Sequence, residues 1–334
     1  MPTRLSVRLL VLISIFFPSL VSAGGSNGLG GDGLELSHIP GAGDSSFHLE
    51  RIDAAHFAFC VIFAVVTAFQ VLHALWNIRR RAIKLPPSIS TPEFSTGWAF
   101  PIFLLISTVL LIISYVLHAV YWGIETNLHN RHPPSFTPSF IGAWNTMRLL
   151  ADILLLSSML ALLTHRGKAL LNTSRHTRNV KRAADVILVV ILFGLSMGNV
   201  GLRVAGVAKG VRHNLYLAYL SLFLLGVLDV AIHSTILYAQ SRESTVNDHS
   251  ITLCTAFIIS PLFFVYAIFP ILLEGLLKPD VDPSTERDRG QWALAGLIVG
   301  CITKVIIIQA CLRFGMPPIP KDTARTYAPR PEKV

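Results

Sequence analysis

Charge is scarce in this chain, and what there is of it avoids the long stretches. Asp, Glu, Lys and Arg make up only 14% of 334 residues, against 52% hydrophobic residues. The mean hydropathy is +0.58. That balance excludes an ordinary soluble domain and points to a polytopic membrane protein. Cysteine is also rare. Cys60, Cys254, Cys301 and Cys311 all fall inside apolar stretches, so none can staple an outer loop and each behaves as a small apolar residue. The twelve histidines contain no His-x-x-x-His, and there is no Cys-x-x-Cys, so no spacing resembles a metal site. No segment is long and polar enough for a soluble catalytic domain, no catalytic constellation is recognisable, and nothing calls for a cofactor. Internal repeats of the kind that mark inverted-repeat transporters are absent as well.

What remains is a series of apolar runs. The first, in "MPTRLSVRLLVLISIFFPSLVSAGG", has Arg4 and Arg8, a core from Leu9 to Leu20 and small residues before Gly24. It reads as a signal peptide, residues 1–23, cleaved after Ala23, with an uncleaved anchor that adds an eighth span as the alternative. Seven further runs are long enough to cross a bilayer, which takes about 20 mostly apolar residues. They lie near Ala54 to Trp76, Trp98 to Trp122, Ile141 to Leu163, Ala184 to Ala205, Leu215 to Ala239, Ile251 to Leu277 and Gln291 to Leu312. The expected fold is an all-α bundle of seven transmembrane helices over 54–313.

Lys and Arg in the short loops give the orientation. One set of loops holds eleven of them, from Arg79 to Arg242, and the opposite set seven, from Arg131 to Arg289; the tail adds four more to the first set. Positive charge marks the cytoplasmic side. The amino terminus is therefore expected outside and the carboxyl terminus inside, in a plasma membrane or endomembrane reached through the secretory pathway. Residues 24–53 are Gly-rich and polar and read as a flexible outer segment; residues 314–334 are Pro-rich and charged and read as a disordered cytoplasmic tail. The basic stretch 164–182, "THRGKALLNTSRHTRNVKR", reads as a cytoplasmic loop that meets anionic inner-leaflet lipids. With the charges distributed this way, nucleic acid is not a partner.

Chemistry at membrane depth rests on a few polar residues. Arg148 and Asp152 in the third span are four apart and share a helix face; Asp229 and His233 in the fifth repeat the spacing. Lys304 stands near the middle of "GLIVGCITKVIIIQAC". A charge in hydrocarbon costs about 2.5–3.5 kcal/mol on insertion scales, so Lys304 needs a partner or a wet cavity. Counting about 1.5 Å per residue puts Lys304 and Asp229 near 20 Å deep and Asp152 shallower, so depth favours Asp229 as the partner, with Asp152 reachable through the long lysine stem. Haem ligation by histidine pairs is disfavoured, because His56 and His73 fall on different faces of one helix.

Seven spans with the amino terminus outside is the receptor layout. The third span ends "LALLTHRGK" without an acidic-Arg-aromatic triplet, and the seventh has no Asn-Pro-x-x-Tyr. "STGWAFPIFLL" at the second span and "SPLFFVYAIFPILLEG" in the sixth resemble fungal seven-helix membrane proteins of unknown function, a resemblance that implies a fold and no activity. A second comparison is with microbial rhodopsins, in which a seventh-helix lysine carries retinal. Lys304, Arg148, Asp152 and "YAIFP", with Tyr266, Phe269 and Pro270, match parts of that pattern. Gly300 replaces the expected acid four residues before the lysine, and Arg148 and Asp152 are four apart where that family has three.

The sequence therefore predicts a receptor-like or sensor-like bundle with a pocket between the third, fifth and seventh spans, lined by a network of Arg148, Asp152, Asp229, His233 and Lys304. A transporter or channel using the same charges is the alternative class, and retinal binding through Lys304 a further one.

Overall fold

The structure, a computed structural model, describes residues 43–84, 99–128, 138–170, 174–205, 209–243, 250–276 and 286–315. The expected signal peptide, the start of the Gly-rich segment and nearly all of the tail lie outside the described residues. Helices α1 (Gly43–Lys84), α2 (Ala99–Leu128), α3 (Pro138–Leu170), α4 (Arg175–Val204) and α5 (Lys209–Glu243) are continuous. α6 has two α-helical pieces, Ser250–Cys254 and Ser260–Leu276, joined by a π-helical turn at Thr255–Ile259, and α7 runs Glu286–Phe314. Each helix carries a stretch long and apolar enough to cross a membrane, and no strand occurs among the described residues.

Several helices outrun their apolar spans. α1 begins at Gly43, so residues 43–53, read from sequence as part of a flexible segment, are helical; after Gly43 the run "DSSFHLERID" contains no Gly or Pro to break it. The basic stretch 164–182 is likewise mostly helix and not loop. α3 continues to Leu170, and α4 starts at Arg175, where Ser174 caps it by accepting from Thr177 N at 3.2 Å. Lys and Arg are good helix formers, and a helix leaving the bilayer keeps its own backbone bonds while its side chains meet water.

α3 is the central helix. Two thirds of its span (67%) is buried, against 17% for α4. Leu149, Leu155, Leu156, Met159 and Leu162 supply its packed faces. α2, α4 and α5 pack on α3, α6 on α5, and α7 on α6. α1 joins by setting Phe63 at a tilt to Tyr115 of α2, ring centroids 6.2 Å apart, and by Gln70 Nε2 donating to Val305 O of α7 at 2.8 Å. Outward faces are apolar, as at Phe69 and Val190, whereas several hydroxyl residues, Ser107 and Ser234 among them, are buried. Ser107 Oγ donates to Ala151 O at 2.7 Å, and Ser234 Oγ lies 3.0 Å from Ser260 Oγ; such contacts tie helices where lipid offers no hydrophobic drive for association.

Proline shapes α6. Pro261 follows the π turn and has no N–H for the carbonyl four residues back, while Ser260 Oγ donates to Thr255 O at 2.8 Å. Pro270 removes the N–H that would bond the carbonyl of Tyr266. Tyr266 and Pro270 both border the central cavity.

Candidate functional site

A cavity of about 370 Å³ opens between α1, α2, α3, α5, α6 and α7. That size suits a small organic ligand. Its walls are largely aromatic, with Trp144, Tyr219, Phe223 and Tyr266 among the lining residues. Lys304 sits at its edge, with its side chain only 5% exposed. The ammonium lies 2.7 Å from Asp152 Oδ1 and 4.7 Å from the centre of the Tyr266 ring. Tyr266 OH donates to Asp152 Oδ2 at 2.5 Å. The ammonium meets Oδ1 as an ion contact off the hydrogen-bond direction, since that oxygen has no aligned donor. Asp152 of α3 thus gathers a cation from α7 and a hydroxyl from α6. Removal of water makes each of these contacts stronger than it would be at a surface.

This corrects the depth argument, which favoured Asp229. Asp152 and Lys304 each stand twelve residues from the start of their spans, at Phe140 and Trp292, so they share a depth of about 18 Å. Asp229 is nineteen residues from Gly210 and lies about 28 Å along α5. It belongs to a separate cluster. Lys181 of α4 bonds both Asp185 Oδ1, at 2.7 Å, and Asp229 Oδ2, and His233 Nδ1 lies 3.1 Å from Asp229 Oδ1. Thr164 Oγ1 of α3 reaches Asp185 Oδ2 at 3.5 Å. The five residues singled out from sequence therefore fall into two groups. Neither Asp229 nor His233 borders the cavity.

Arg148 borders the cavity without pairing with Asp152. Its Nη2 donates to Asn145 Oδ1 at 3.1 Å, and its guanidinium lies 6.0 Å from the Trp144 ring centre. Nearby, His118 and Trp122 form the α2 wall: Trp122 Nε1 donates to His118 Nε2 at 2.7 Å, so that nitrogen is the unprotonated one. The His118 ring lies tilted against Trp144, centroids 4.0 Å apart, and His56 of α1 stacks on Trp122 at 4.5 Å. Three residues of the cavity lining carry a donor buried without a hydrogen-bond partner: Tyr115 OH, Trp144 Nε1 and Tyr219 OH. Leaving each unmade costs about 1–3 kcal/mol.

Sequence reasoning missed this aromatic and imidazole wall. The spacing His118 to Trp122, four residues apart on one helix face, was the available signal. Lys181 was missed because its stretch was read as loop, and Asp185, at the start of the fourth span read from sequence, was not singled out. Among the described residues, no group of three or more His, Cys, Asp or Glu side chains is arranged to hold a metal ion.

The chain matches no known family model, and no curated protein matches it.

Proposed function

We propose that this seven-helix membrane protein is receptor-like or sensor-like: a small molecule occupies the central cavity and biases the bundle between two packings. The observation that carries the reading is the aromatic cavity itself, whose edge holds the Lys304–Asp152–Tyr266 triad and whose lining residues include three with orphaned donors, Tyr115 OH, Trp144 Nε1 and Tyr219 OH. The ligand is then mainly apolar, to suit the aromatic walls, and carries acceptor oxygens for such of these donors as turn towards it. The triad links α3, α6 and α7. A ligand that draws Lys304 or Tyr266 from Asp152 loosens that link, and a ligand that leaves it alone tightens the packing around it; only such differential contact shifts the balance.

Gly300 offers the test. A Cβ there would lie 3.5 Å from the Tyr266 ring, an ordinary contact, so a large side chain grows into the cavity without breaking the backbone. Full-length protein extracted in mild detergent is expected to carry a co-purifying small molecule, detected by native mass spectrometry, and Gly300→Trp is expected to lose it. A variant that keeps the same bound molecule would reject the cavity as its site. Solute flux in reconstituted vesicles, lost in Gly300→Trp, would move the reading to a transporter.

One observation favours a second reading, a retinal carried on Lys304. The lysine has a carboxylate at 2.7 Å and an aromatic cavity beside it, with Tyr266 and Phe269 on the wall. Asp152 alone would serve as counter-ion, since Gly300 supplies none. Bound retinal would contribute light absorption; Lys304 would hold it, Asp152 would stabilise the positive nitrogen and the rings would enclose the polyene. Added all-trans-retinal should then give visible absorbance that hydroxylamine bleaches and that Lys304→Ala abolishes. A colourless protein after reconstitution rejects this reading and leaves the first intact.

A further inference from the structure

A second concavity, of about 430 Å³, lies between α2, α3 and α4, away from the central cavity. Its shaft is apolar, built by Phe103, Ala161, Val186 and Val190 among others, and its rim is basic, with Lys168 from the end of α3 and Arg182 from the start of α4. Val186 and Val190 are 56% and 62% exposed, so the shaft opens sideways at the depth where the spans meet hydrocarbon. The acid in the lining, Asp185, is already engaged by Lys181. Lys168 and Arg182 are exposed, and among the described residues neither has an ion-pair partner. The groove therefore presents two uncompensated cations directly above an apolar channel. Ser157 and Thr164 on its wall spend their hydroxyls within the protein, on Ile153 O and Asp185, and ask nothing of an occupant.

We propose that this groove seats an anionic phospholipid, whose phosphate lies between Lys168 and Arg182 and whose acyl chain fills the shaft. Charge complementarity selects the head group, and the lateral opening at hydrocarbon depth selects a lipid over a soluble anion or a peptide. From Ser157 to Thr164 the α3 wall covers about 10 Å, enough for the upper part of one chain. The basic stretch 164–182 thus acts through a built groove, beyond the general attraction its charge would give.

Full-length protein in mild detergent, incubated with equal amounts of dioleoyl phosphatidic acid and dioleoyl phosphatidylcholine, should retain the anionic lipid in native mass spectra. Lys168→Gln and Arg182→Gln should each weaken retention about fivefold. Val190→Trp should weaken it comparably by blocking the shaft; since Val190 points outward, the fold should hold, and an unchanged unfolding midpoint checks this. Should the midpoint fall, Val186→Trp replaces it. Equal retention of the two lipids overturns the proposal, as does displacement by an equal concentration of inorganic phosphate. Full retention in the shaft-blocked protein, with loss in the charge variants, also overturns it, because that is surface adsorption.

Discussion

Lys304→Met is expected to lower the unfolding free energy by about 3–5 kcal/mol, because it leaves Asp152 buried with its charge uncompensated. Both side chains are almost fully buried, 5% and 7% exposed, so neither can turn to water when the other is lost. Tyr266 OH still donates to Oδ2 and softens the loss without cancelling it. Adding Asp152→Asn should recover most of the stability, since a neutral amide needs only hydrogen bonds. Adding Asp229→Asn instead should make matters worse: Asp229 is held by Lys181 and His233, and its loss adds to that of Lys304. Unfolding of all four proteins in mixed micelles decides between the partners. Rescue by Asp229→Asn and none by Asp152→Asn would reject the α3–α7 pair.

The contrast between those two carboxylates shows how far the sequence could be read. Apolar windows found all seven spans, because about 20 consecutive apolar residues have few uses outside a bilayer. The need of Lys304 for a partner was equally legible, since an isolated charge at that depth is costly. Which partner was not. Depth counting depends on where each span starts, and errors of a few residues move a side chain by several ångströms. Helix ends failed for a related reason: "THRGKALLNTSRHTRNVKR" has the composition of a basic loop and the propensity of a helix, and the cap at Ser174 marks where α4 starts. The aromatic wall of the cavity was hidden more deeply. Tyr115, Trp144, Tyr219 and Tyr266 come from four helices, and no spacing along the chain brings them together.

Gly226→Leu is expected to destabilise the bundle by about 1–3 kcal/mol or more, the cost of over-packing a filled core. A Cβ at Gly226 of α5 would lie 2.8 Å from Leu156 Cδ2 of α3 and 3.1 Å from Leu188 Cδ2 of α4. Three helices meet there, with Leu156 fully buried on the central one, so the added side chain must drive Leu156 and Leu188 from their rotamers or force α5 outward. Small residues at such crossings let helices approach closely where lipid supplies no hydrophobic drive. Gly194 on α4 gives the control: a Cβ there meets nothing within 4 Å, so Gly194→Leu should leave the unfolding midpoint near that of the parent. Truncating the opposing side chain, in Gly226→Leu with Leu156→Ala, should return part of the loss by restoring the volume at the crossing. Equal effects of Gly226→Leu and Gly194→Leu would mean that helix propensity, and not the α3–α5 contact, sets the response at both glycines; a larger loss at Gly226, partly repaired by Leu156→Ala, places the crossing as the joint on which the cavity walls of α3 and α5 depend.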